Sequence, residues 1–137
     1  MIKKQENSKK ILVVDDDSNL VESIAAILKA EGYTVFTAAN GTEGLRQAQT
    51  QQPDLILLDV MMDHDHEGFE VVKRLQGQQK GATLPVIIMT GIRKAKRLPF
   101  AYEPDADWLP VQAVLEKPVD PRVLLKRVAK ALSASSR

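Results

Sequence analysis

The chain has 137 residues, within the ~100–200 of one ordinary domain and long enough to bury a real core. Lys and Arg (19) nearly cancel Asp and Glu (18), and the formal charge of +1 argues against a dedicated nucleic-acid or membrane-surface binder. The absence of cysteine excludes disulfides, thiolate catalysis and cysteine-based zinc sites.

No apolar stretch approaches the ~18–20 residues that span a bilayer. The polar start, residues 1–10, lacks the apolar middle of a signal peptide, so a soluble cytoplasmic protein without membrane association is expected. Residues 1–8 read as a flexible N-terminal tail, 9–133 as one domain and 134–137 as a C-terminal tail.

Lys10-Ile11-Leu12-Val13-Val14 is a short, continuous apolar run, as in a strand buried on both faces, and it ends in Asp15-Asp16-Asp17. Ser18 is the expected N-cap of a helix whose Leu20, Ile24, Ile27 and Leu28 fall on one stripe. Gly32 sits where a C-terminal cap belongs. Residues 33–38 form a second strand, and residues 42–49 a second helix with Leu45 and Ala48 inward. Pro53-Asp54 marks the turn into a third strand, 55–58, which ends at Asp59. An acidic loop, Asp63-His64-Asp65-His66-Glu67, leads to Gly68 and a third helix carrying Phe69, Val72 and Leu75. Residues 77–81 are polar and turn-like, and a fourth strand over 85–89 ends at Thr90-Gly91. Pro99, Pro104 and Pro110 then interrupt any long helix, since an interior Pro costs ~3 kcal/mol or more. Residues 92–112 are therefore expected to be largely irregular, with one short helix near 93–97 and Phe100, Tyr102 and Trp108 as anchors on the sheet edge. A brief fifth strand, 113–116, closes at Lys117-Pro118. Asp120 caps a last helix with Pro121 at its first position and Leu124, Leu125, Val128 and Leu132 inward.

Alternating strands and helices predict an α/β fold, a parallel sheet with helices on both faces and right-handed crossovers. Sites in such folds lie outside the carboxyl ends of the strands, near the switch in strand order. By that rule polar residues converge: Asp15 and Asp16 end strand one, Asp59 ends strand three, Thr90 ends strand four, and strand five leads to Lys117. An Asp after a strand is usually a turn former or a helix cap, and Asp17 reads that way. Four strands each delivering a polar group to one edge is another matter. Carboxylates crowded there repel, and a divalent cation with oxygen ligands, Mg²⁺, relieves them. One carboxylate can then act as nucleophile on a phosphoryl donor, with Lys117 as a point charge and the Thr90 hydroxyl and backbone amides as hydrogen-bond donors. Gly91 leaves the approach open.

Ile11-Leu12-Val13-Val14-Asp15-Asp16-Asp17, Leu57-Leu58-Asp59-Val60-Met61-Met62, Ile88-Met89-Thr90-Gly91 and Glu116-Lys117-Pro118 resemble the four signature segments of response-regulator receiver domains in two-component signalling. The resemblance spans residues 8–133, close to a stand-alone, chemotaxis-regulator-like receiver. It implies a flavodoxin-like, doubly wound five-stranded sheet in the order 2-1-3-4-5. It also implies Mg²⁺-dependent transfer from a sensor histidine kinase or a histidine phosphotransfer protein. By family match Asp59 is the phosphoacceptor, Asp15, Asp16, Asp59 and the Met61 backbone carbonyl hold Mg²⁺, and Thr90 and Lys117 contact the phosphoryl group. Lys117-Pro118 is expected to be cis, which proline makes accessible.

There are departures. Asp63 stands where the family commonly has Pro, Glu67 precedes Gly68, and the loop is about one residue longer. Val114 replaces a common aromatic, and the interval between Thr90 and Lys117 is longer than usual. Readout of the signal is therefore expected to differ, by ordering or shifting residues 92–112. His64 and His66 read as solvated rather than as a second metal site, and Arg93, Lys94, Lys96 and Arg97 as a solvated face or partner contact. Neither a DNA-binding domain nor an output enzyme is expected, only the chain's own phosphorylation and dephosphorylation, with another protein as effector. The competing readings are a pseudo-receiver that never turns over phosphate and an aspartate-nucleophile phosphatase. The phosphatase would place a second acid where Met61 stands.

Overall fold

Five short runs pair into one sheet: the three central ones are apolar enough to be buried on both faces, and the two at the edges carry polar residues as well. The computed structural model describes residues 8–59, 84–91 and 113–135. Expectations for the loop at 63–67, the third helix, Met61 and residues 92–112 lie outside these described residues.

The strands are β1 (Lys10–Val14), β2 (Thr34–Ala38), β3 (Leu55–Asp59), β4 (Val86–Gly91) and β5 (Ala113–Lys117). They are parallel throughout and lie in the order β2-β1-β3-β4-β5, the flavodoxin-like arrangement expected. The direction of winding reverses between β1 and β3, which makes that boundary the switch point. Register carries the polar ends into line: Val14 lies beside Leu58, Asp59 beside Met89, and Gly91 beside Lys117.

Helices α1 (Ser18–Ala30), α2 (Gly41–Gln51) and α3 (Pro121–Ser135) dress the sheet. Ile11, Val13, Leu55, Leu57, Ile87, Met89 and Leu115, alternate residues of their strands, face Ile24 and Leu28 of α1 and Leu124, Val128 and Leu132 of α3 in one buried cluster. Val14 belongs to the opposite face, where it meets α2. A Cβ on Gly44 would stand 3.0 Å from a Val14 methyl, so glycine lets this helix approach the end of β1 closely. No helix among the described residues is long and apolar enough to cross a membrane.

Caps set the helix boundaries, and one differs from expectation. The N-cap of α1 is not Ser18 but Asp17, in keeping with the reading of Asp17 as a turn former or helix cap: it is held extended (φ −88°, ψ 100°) and its carboxylate accepts the Leu20 N–H at 3.2 Å. The cause is Asp15, whose side chain takes the Asp17 N–H at 2.9 Å and fixes the turn one residue early. Gly32, at φ 100°, ends α1 as expected, and the Tyr33 N–H still bonds back to Leu28, so β2 begins at Thr34. Helix α2 starts one residue earlier and runs two residues longer than expected, to a left-handed Gln52 (φ 49°). The Asp120 carboxylate accepts the Arg122 N–H at 2.8 Å at the start of α3.

At α2, the Asn40 side chain accepts the Glu43 N–H at 2.8 Å and the Glu43 carboxylate accepts the Ala39 N–H at 2.7 Å, a reciprocal cap. Asn40→Ala is expected to lower the unfolding free energy by about 1 kcal/mol, and Asn40→Asp to leave it near wild type, as read from urea denaturation midpoints.

Candidate functional site

The residues that the sequence placed at strand ends meet at one edge of the sheet. Asp15 follows β1, Asp59 is the last residue of β3, and Lys117 is the last of β5. All three continue the alternation of Val13, Leu57 and Leu115, so they emerge on the α1 and α3 face. The Lys117 ammonium donates to Asp15 Oδ2 at 2.8 Å and to Asp59 Oδ2 at 3.2 Å. The two carboxylates are almost wholly buried (side-chain exposure 0% and 4%), while the lysine keeps 24%. Asp16, one residue past Asp15, is exposed.

Burial pushes the Asp15 carboxyl above its usual range. The Lys117 and Asp17 hydrogen bonds offset part of that push, and the Asp59 charge adds to it. For Lys117, burial alone would favour the neutral amine. The Asp15 hydrogen bond and the charges of Asp59 and Asp15 outweigh it, so the ammonium holds its proton more tightly than an ordinary lysine. The proton therefore stays on nitrogen, and the edge carries one fixed cation between two carboxylates.

Asp15, Asp16 and Asp59 each offer one oxygen, and these atoms all lie within 4.8 Å of one another. A Mg²⁺ ion with oxygens at about 2.0–2.1 Å needs ligands about 2.9 Å apart at right angles and about 4.2 Å apart across the ion. The donor set is all oxygen and has the right scale, so the residues fit such an ion, with water to complete the shell. Met61 lies outside the described residues.

Thr90, next to last in β4, is fully buried, and its hydroxyl has no hydrogen-bond partner among the described residues. A buried polar atom left unpaired costs about 1–3 kcal/mol. The Lys117-Pro118 peptide is cis, as expected. What the sequence reading missed is the direct pairing of Lys117 with Asp15. A signal for it existed: the same crowding of carboxylates that asks for a metal also asks for the nearest cation.

Residues 11–129 match the response regulator receiver domain family, and the chain belongs to that family. The alkaline phosphatase synthesis transcriptional regulatory protein PhoP of Bacillus subtilis is 38% identical over 128 residues, 93% of this chain and 50% of that protein. Protein PilH of Pseudomonas aeruginosa is 32% identical over 127 residues, 90% of this chain and 98% of that protein. The chain thus spans about half the length of PhoP and nearly all of PilH. Among solved structures, a CheY-like response regulator receiver domain protein from Methanospirillum hungatei superimposes with a TM-score of 0.75 at 30% identity, over 94% of this chain and 97% of that one. Receiver domains of two-component systems are signalling modules that take a phosphoryl group from histidine kinases.

Thr90→Val keeps the shape and removes the unpaired hydroxyl. In the absence of metal and phosphoryl donor the variant is expected to be at least as stable as wild type, by up to ~1 kcal/mol, in thermal or urea unfolding.

Proposed function

We propose that the chain is a working phosphoacceptor: Asp59 accepts a phosphoryl group from a phosphohistidine of a sensor kinase or a histidine phosphotransfer protein. The observation that carries this reading is the Asp59 carboxylate, nearly buried at a strand end, with Lys117 at 3.2 Å and two further carboxylates clustered around it. A cluster of that kind has poor structural value by itself, because like charges in a dry site repel. It becomes favourable when a doubly charged cation and a phosphoryl group share it.

In the transfer, an Asp59 carboxylate oxygen attacks phosphorus in line. The P–N bond to the donor imidazole breaks and its electron pair leaves with the ring nitrogen, so the product is an acyl phosphate on Asp59. Asp15 and Asp16 would hold the metal with Asp59, joined by the Met61 backbone carbonyl. A bound Mg²⁺ supplies neutralising charge to the carboxylates and the phosphoryl oxygens. Lys117 turns from the Asp59 carboxylate to the new phosphoryl oxygens, exchanging one anionic partner for another while keeping Asp15. The Thr90 hydroxyl gains the hydrogen-bond partner it lacks. Because both shifts follow phosphorylation, they couple the charge on Asp59 to β4 and β5, and the output is a contact with another protein.

Incubation with a small phosphodonor and Mg²⁺ is expected to add the mass of one phosphoryl group to the wild-type chain and nothing to Asp59→Asn. Chelation of divalent ions should suppress the gain in wild type. A wild-type chain that stays unlabelled with Mg²⁺ present would favour the pseudo-receiver reading.

Lys117→Ala is expected to retain the fold but to lose much of the conformational response. Amide chemical-shift changes around Thr90 on phosphorylation should shrink by well over half relative to wild type. Equal changes in both proteins would remove Lys117 from the proposed coupling.

A further inference from the structure

We infer that Asp17, the third acid of the run, is a positioning residue for the metal-binding edge: its side chain fixes where Asp16 stands. The inference rests on the metal-binding reading above. Asp16 is exposed and its side chain has no hydrogen bond or ion pair among the described residues, yet its carboxylate belongs to the oxygen cluster with Asp15 and Asp59. The constraint comes from both neighbours. On one side the Asp15 N–H donates to the Ala38 carbonyl at 3.1 Å, tying the residue to the end of β2. On the other side the Asp17 N–H donates to Asp15 Oδ1 at 2.9 Å. Asp17 in turn anchors α1 twice: its carboxylate accepts the Leu20 N–H at 3.2 Å, and its carbonyl accepts the Val21 N–H at 3.0 Å.

Asp16 is therefore clamped between a strand end and a helix start, and Asp17 is the link that joins them. A cap at Ser18 would place the first turn of α1 one residue later and leave Asp16 inside a longer, untied connection. The Asp17 carboxylate thus acts on the metal through the backbone of its neighbour, not as a ligand. Groups of this kind, one step removed from the ion, typically alter affinity by 10–100-fold.

Three variants separate position from charge and from stability. Asp17→Ala loses both the cap and the charge, Asp17→Asn keeps a capping oxygen without the charge, and Ile24→Val trims the buried stripe of α1 without touching its start. Mg²⁺ dissociation constants are measured for each by calorimetric titration of the full chain, with the thermal midpoint recorded alongside. Weakening by about tenfold in Asp17→Ala is expected, with Asp17→Asn within about threefold of wild type, a rescue that a charge effect could not produce. Ile24→Val should lower the midpoint yet leave Mg²⁺ binding within about twofold of wild type. A parallel readout in metal-free protein is the amide resonances of Asp16 and Leu20, which should move in Asp17→Ala and stay near wild type in Asp17→Asn. The inference is overturned if Asp17→Ala binds Mg²⁺ like wild type, if Asp17→Asn is as weak as Asp17→Ala, or if Ile24→Val weakens binding equally. Wild type failing to bind Mg²⁺ at all would overturn the metal reading itself and this inference with it, an outcome distinct from the other three.

Discussion

Two carboxylates buried at the same sheet edge set the terms for the rest of this molecule. Like charges about 4 Å apart repel by ~4 kcal/mol at an effective dielectric of 20, and desolvation adds to that cost. The Lys117 ammonium relieves both by standing between Asp15 Oδ2 and Asp59 Oδ2. Its partners lie 102 and 58 residues away in sequence, so the relief exists only when β1, β3 and β5 are all in register. The ion pairs thus depend on the whole sheet, and the sheet edge depends on the ion pairs. Nothing local to either segment could stabilise the arrangement.

Among the described residues a single cation serves that edge, which leaves it with an excess of negative charge. One ammonium faces two buried carboxylates and a third, exposed one within reach, a negative surplus that a divalent cation would offset. The buried Thr90 hydroxyl in β4 is a second such feature, without a hydrogen-bond partner among the described residues. Under the proposed phosphorylation of Asp59, the new anion would give each group a contact that it does not have at rest. The tight approach of α2 at Gly44 and the caps at Asp17, Asn40 and Asp120 fix the helices that surround the edge.

The family comparisons agree with this division. The receiver match runs through the whole sheet, from β1 to most of α3. The similarity to PhoP, which is about twice as long, and to PilH, which is about the same length, shows one receiver architecture placed in proteins of different overall organisation.

Much of this was legible from residue order. The first strand announced itself as a continuous apolar run, because a strand buried on both faces must be apolar throughout. The amphipathic stripes gave α1 and α3, and the turn residues Gly32 and Pro53-Asp54 separated the elements. Asp15, Asp16, Asp59, Thr90 and Lys117 could be placed at one edge because parallel topology puts all strand ends on the same side. Contacts decided by competition at ångström scale were not legible. Asp17 and Ser18 are equally good caps by type, and the choice fell to Asp17 because the Asp15 carboxylate captured its amide. Residue types alone could not say that Lys117 would pair with Asp15 as well as Asp59, or that Gly44 would let α2 close onto Val14. By itself the sequence determined which elements form and which chemical groups reach the edge, since periodicity and turn chemistry are local properties. Tertiary structure alone decided which oxygen meets which nitrogen and which hydroxyl is left unpaired, since those distances follow from the register of strands far apart in the chain.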